Sequence, residues 1–97
     1  MRRDTRAQAY GLLGAAYENG AHWSDAAGAY ETAVRQALYP FLKAQYLSDA
    51  ARSWLAVRDT AKALADYRTI VSGIDSTPSR VEAEVRVGEL TNGAGLR

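Results

Sequence analysis

The residues that could do chemistry are few and poorly placed for it. His22 is the one histidine, and it sits beside Trp23 in a stretch that reads as a turn. Its ordinary role there is that of a polar cap residue. Glu82, Glu84 and Glu89 share one helical stretch, but neither a histidine nor an aspartate stands near them, so they read as a solvated face. An enzyme needs a nucleophile with its base, a carboxylate pair in a cleft, or metal ligands at workable spacing. None is visible, and no cofactor is implied. The glycines are isolated, so no phosphate-binding loop is present. The ten arginines, among them Arg35, Arg58, Arg68 and Arg86, scatter instead of converging, which disfavours a nucleic-acid face. Salt-sensitive RNA binding would be needed to revive that class. The two tryptophans and most of the six tyrosines recur at helical spacing and read as packing, Tyr39 at a turn being the exception.

The elements that carry these residues belong to one domain of 97 residues with no cysteine and hence no disulfide or zinc knuckle. A formal net charge of +1, from 12 basic and 11 acidic residues spread along the chain, leaves no polyelectrolyte surface. Met1, Arg2 and Arg3 could open a signal peptide, but no apolar segment follows, and no run is long enough to span a bilayer. The chain reads as soluble, without membrane insertion; bacterial cytoplasm and periplasm are equally compatible, so the compartment stays open. The hydrophobic fraction of 47% is inflated by alanine, so the few large side chains decide where a core can form.

Five helices are expected. The first is capped by Asp4 or Thr5, carries Ala9, Tyr10, Leu13, Ala16 and Tyr17 inward, and stops at Asn19-Gly20, a pair that tolerates the left-handed conformation of a helix end. The second starts at His22 or Ser24 and buries Trp23, Ala26, Ala27, Tyr30, Ala33 and Val34. Tyr39-Pro40 forces a boundary and starts a third helix, running to about Val57, that buries Tyr46, Leu47, Ala50, Ala51 and Trp54. Asp59 caps the fourth, which turns Ala63, Leu64, Tyr67, Ile70, Val71 and Ile74 inward and frays at Gly73. Asp75 to Pro78 form a turn, and Ser79 with Glu82 makes a capping box for a fifth helix to about Leu90, with Val81, Val85 and Leu90 covering its neighbour. Residues 92–97 are expected to be an unstructured tail.

Tyr10, Leu13-Gly14 and Tyr17, followed by Ala26, Tyr30 and Ala33, resemble the signature of the tetratricopeptide repeat: a bulky aromatic, Leu-Gly, Tyr, then Ala, an aromatic and Ala. A shift of 37 residues places Leu47, Ala50-Ala51 and Trp54 on the same frame and pairs Ala26 with Ala63, Tyr30 with Tyr67 and Ala33 with Ile70. A second shift puts Val87-Gly88 on the Leu-Gly position. The units are residues 7–43 and 44–80, then a half repeat or capping helix at 81–91. Each is about three residues longer than the family norm of ~34. Glu84 and Thr91 depart from the signature, giving the third unit a weaker inner face. Gly95 falls where the family turns inside a repeat, a pattern expected of a segment of a longer repeat protein.

The resemblance implies an all-α, right-handed helical solenoid of antiparallel helix pairs, with the first helix of each unit lining a concave groove. Carried over, the groove positions are Gln8, Gly11, Ala15 and Glu18; Gln45, Ser48, Arg52 and Leu55; and Glu82, Val85, Glu89 and Asn92. Members that clamp a peptide carboxylate use several cations there; here Arg52 alone could serve, so that ligand is not expected. Gly11 and Ala15 are expected to leave a shallow floor beside Leu55 for apolar side chains of an extended peptide or partner helix, with Arg52 free for an acidic neighbour. The expected function is a non-catalytic protein–protein interaction module. The alternative is an oligomerisation or spacer element of a longer repeat protein, in which the exposed ends of the stack pair with another copy, or Gly11 and Ala15 merely permit close packing with a preceding repeat.

Overall fold

The computed structural model describes residues 2–73 and 78–95. It is all-helical: α1 (Arg3–Asn19), α2 (Trp23–Gln36), α3 (Pro40–Ala56), α4 (Thr60–Gly73) and α5 (Pro78–Gly95), with no strand among the described residues. Each helix packs on the next along the chain, and α3 also meets α5. The body measures 49 × 31 × 16 Å. No helix among the described residues is long and apolar enough to cross a membrane.

Several boundaries follow from single residues. Tyr39 is extended (φ −108°, ψ 136°), as the residue before a proline prefers, and Pro40 opens α3, where a missing N–H costs nothing. Asp59 caps α4 by accepting the Lys62 N–H at 3.1 Å. Other expectations shift. Neither Asp4 nor Thr5 caps α1; Arg2 precedes the helix, and Asp4 Oδ1 accepts the N–H of Thr5 inside the first turn at 3.0 Å. His22 stands at the start of α2 without a side-chain capping bond. The Ser79 and Glu82 capping box does not form. α5 already begins at Pro78, and Glu82 turns to α3 instead. The backbone at 92–95, expected as a tail, continues α5 to Gly95. Ile74 and the expected turn at 75–77 lie outside the described residues.

The α1–α2 turn carries its left-handed residue at Ala21 (φ 61°), while Gly20 is at φ −91°. Arg58, 37 residues on, does the same at φ 62° in the α3–α4 turn. The hydrogen bonds match position by position. Ala21 N–H reaches Glu18 O and His22 N–H reaches Tyr17 O, at 2.9 and 2.8 Å; Arg58 N–H reaches Leu55 O and Asp59 N–H reaches Trp54 O, both at 2.9 Å.

The core also keeps that spacing. Ala7 and Ala44, Gly14 and Ala51, Ala26 and Ala63, Tyr30 and Tyr67, and Ala33 and Ile70 are buried as pairs. One cluster joins Ala27, Ala44, Leu47, Ala51, Trp54, Ala63, Tyr67, Ile70 and Ala83; a smaller one joins Ala26, Tyr30 and Ala50, flanked by Tyr17 and Tyr46. Gly14 is needed where α1 meets α2, because a Cβ there would stand 2.7 Å from the Tyr30 ring.

Two helices show a different inner face from the one expected. On α1, Ala7 and Gly14 are buried while Ala9, Tyr10, Leu13 and Ala16 are exposed. Tyr10 and Leu13 are 37% and 42% exposed, whereas Leu47 and Ala50, their counterparts on α3, are 6% and 0%. The reason is neighbours: α3 has α2 on one side and α4 on the other, and α1 packs chiefly on α2. On α5, Ala83, Val87 and Leu90 face the core, while Val81 and Val85 face out.

Candidate functional site

An open groove of about 440 Å³ lies where α1, α2 and α3 meet. Gln8, Gly11, Leu12 and Ala15 line it from α1, Gln45, Tyr46 and Asp49 from α3, and Tyr30 from α2. On α1 the lining residues recur at steps of three and four, so one stripe of the helix faces the opening. Gly11 matters through its missing side chain. A Cβ there would stand 2.6 Å from Cε1 of Tyr46, so the ring lies directly on the α1 backbone. The floor is therefore aromatic, and Gly11 leaves no empty hollow in it.

Beside this floor stands a network of charge. The Tyr30 hydroxyl donates to Glu18. Arg52 is held by Asp49, by both oxygens of Glu82 at 2.9 and 3.1 Å, and through Nη1 by the Ser48 hydroxyl at 3.1 Å. Ser48 in turn donates to Glu82 Oε1 at 2.5 Å. Burial, followed by the Glu18 carboxylate, pushes the Tyr30 hydroxyl well above its ordinary pKa. Tyr46 is raised by burial and by Asp49. Asp49 is raised by burial, with Glu18 and Glu82 adding to the effect against Arg52. For Glu82 burial acts upward too, but the Ser48 hydroxyl and Arg52 outweigh it and hold the carboxyl below its usual value.

Of the residues expected to line a groove, Gln8, Gly11, Ala15 and Gln45 are brought together, with Glu18 one bond away through Tyr30. Ser48 is buried, and Arg52 is occupied by its own chain instead of standing free for an acidic partner. Leu55 packs against the core cluster. Glu82 serves the α3–α5 contact; Val85 is exposed elsewhere on α5, where Glu89 accepts from Arg86 at 3.1 Å. The side chain of Asn92 lies outside those described. Leu12 and Asp49 carry no expectation from the sequence, and Tyr30 and Tyr46 are expected there only as buried packing. Gln45 and Asp49 are four residues apart on α3, and so are Gln8 and Leu12 on α1, a signal that would have found two of them.

A second polar cluster links α2, α3 and α4. Trp54 Nε1 donates to Glu31 Oε2 at 2.9 Å, and Lys62 Nζ lies 4.4 Å from the Trp54 ring centroid. The Asp66 carboxyl beside Glu31 is pushed up to about 8, first by burial and then by the Glu31 carboxylate. Among the described residues its Oδ2 is buried with no donor to accept from, as suits a carboxyl that keeps its proton. Among the described residues, no group of three or more His, Cys, Asp or Glu is placed to hold a metal ion. His22, with Asp25 at 3.9 Å, is exposed at the turn. In comparison with known proteins, no family model, no curated protein and no solved structure gives a significant match to this chain.

Proposed function

We propose that this chain is a non-catalytic protein-interaction module of tetratricopeptide-like architecture, a right-handed stack of antiparallel helix pairs that holds an extended peptide or a partner helix in the groove between α1 and α3. The observation that carries the reading is that groove: it is open, about 440 Å³, and floored by Tyr46 and Tyr30. Gln8 and Gln45 on its sides supply amide donors and acceptors for a bound backbone, and Leu12 and Ala15 supply apolar contact. The architecture draws support from the 37-residue recurrence of buried positions and of the Ala21 and Arg58 turns.

Peptide display on the wild-type chain, with counter-selection on Ala15→Arg, tests the reading. The Arg side chain would fill the groove from an already helical position. Selected peptides are expected to bind the wild type and lose the variant, with circular dichroism showing equal helix content. Peptides that bind both equally, or no enrichment at all, would remove the groove from consideration.

A second reading, self-association, is favoured by one observation: Tyr10, Leu12 and Leu13 leave large apolar surface on α1, where the counterparts of Tyr10 and Leu13 on α3 are covered. Sedimentation over a concentration series separates the two. The interaction-module reading expects a monomer at about tens of micromolar, where a dimer with a standard-size interface would be populated.

A further inference from the structure

We infer that the groove between α1 and α3 selects a cationic side chain, an arginine or lysine of an extended peptide, seated against the Tyr46 ring and reaching toward Asp49 and Glu18. The inference rests on the groove reading above and adds the chemistry of the occupant. Three observations carry it. The first is the charge balance: Asp49 and Glu82 both bond to the Arg52 guanidinium, and Glu18, bonded to the Tyr30 hydroxyl, adds its field at Asp49. Arg52 divides itself between Asp49 and Glu82, the second of which also feels Arg86, and Glu18 accepts from the neutral Tyr30 hydroxyl, so on the groove side negative charge exceeds positive. The second is position, because Asp49 lines the groove directly while Arg52 stands behind it, bound toward α5. The third is the ring, whose packing onto Gly11 fixes it in place beside Asp49 and Gln45. An aromatic ring beside a carboxylate recognises a cation twice over, through the ring quadrupole and through a charge-assisted hydrogen bond. An incoming anion would meet the opposite field. The raised values of Asp49, Tyr30 and Tyr46 agree with negative charge held in a partly dry site.

Fluorescein-labelled octapeptide pools with one central position fixed as arginine, leucine or glutamate, and the others randomised, provide the test. The arginine pool is expected to bind the wild type about tenfold more tightly than the leucine pool, with the glutamate pool weakest, by the usual worth of a charge-assisted bond. Asp49→Asn, which leaves Arg52 its bond to Glu82, is expected to erase most of that preference; Glu18→Gln, made separately, is expected to reduce it. Raising salt should weaken the arginine pool and leave the leucine pool nearly unchanged. Circular dichroism on each variant confirms that the helices persist. Equal binding of the arginine and leucine pools, unaltered by Asp49→Asn but abolished by Ala15→Arg, overturns the charge selection and leaves the groove standing. Binding of no pool, or binding that ignores Ala15→Arg, overturns both.

Discussion

Gly14 has no room for a methyl group, since the Tyr30 ring would be 2.7 Å from it. Gly14→Ala is therefore expected to destabilise the chain by about 1–3 kcal/mol despite alanine's better helix propensity, as urea denaturation would read. Titration gives a second residue-scale expectation. The Asp66 carboxyl sits at about 8 in the folded chain, against about 4 for an aspartate in an unfolded one. Between those values the folded chain holds a proton that the unfolded chain has released, so stability falls as pH rises through the interval. Asp49, also raised, acts in the same direction. Glu82, lowered by Ser48 and Arg52 against its burial, acts oppositely and loses its contribution as pH falls through its folded value. Thermal melts are expected to show Tm declining from about pH 5 to about pH 9, with Asp66→Asn flattening most of the slope. A slope unchanged in that variant would place the titrating group elsewhere. Little of this was legible in the sequence. Glu82 fits a capping box by spacing, and only the position of α3 shows that Ser48 and Arg52 draw it away. Arg52 looked free for the same reason.

The elements were far more readable, because their boundaries rest on local chemistry. Pro40 and Asp59 act within one turn of themselves, and both do in the fold what their side chains dictate. Where local rules compete, the residue types alone do not decide the conformation. Asn19 and Gly20 can both adopt a left-handed conformation, yet Ala21 takes it, as Arg58 does in the equivalent turn. A β-carbon makes that conformation costly, so Ala21→Gly and Arg58→Gly are each expected to stabilise the chain, by about 0.5–1 kcal/mol after the extra entropy of an unfolded glycine is subtracted. A loss of stability in both variants would mean that the side chains at these turns contribute more than strain. The end of α5 was missed because Asn92, Gly93 and Gly95 are poor helix formers, and the helix nevertheless continues to Gly95.

For the whole molecule, the number of neighbours decides which face of a helix is buried, and periodicity alone cannot count neighbours. The spacing of Tyr10 and Leu13 on α1 equals that of Leu47 and Ala50 on α3, but only α3 is covered on both sides. Leu13→Ala is accordingly expected to cost no more than about 1 kcal/mol, and Leu47→Ala about 2–5 kcal/mol, in the same denaturation assay. Equal costs would show that α1 is covered in solution, as self-association requires. The groove was half legible by the same logic. Gln8, Gly11, Ala15 and Gln45 followed from the frame that the tetratricopeptide resemblance implies, whereas Tyr30 enters from α2, which that frame does not place in the groove. The proposed binding function rests on that groove. Its most direct test is to titrate the isotopically labelled chain with a display-selected peptide and map the backbone amide shifts. The shifts are expected to cluster at Gly11, Ala15, Gln45, Tyr46 and Asp49. Shifts confined to the outer face of α5, or to the exposed Tyr39 and Phe41 at the α2–α3 boundary, would contradict it.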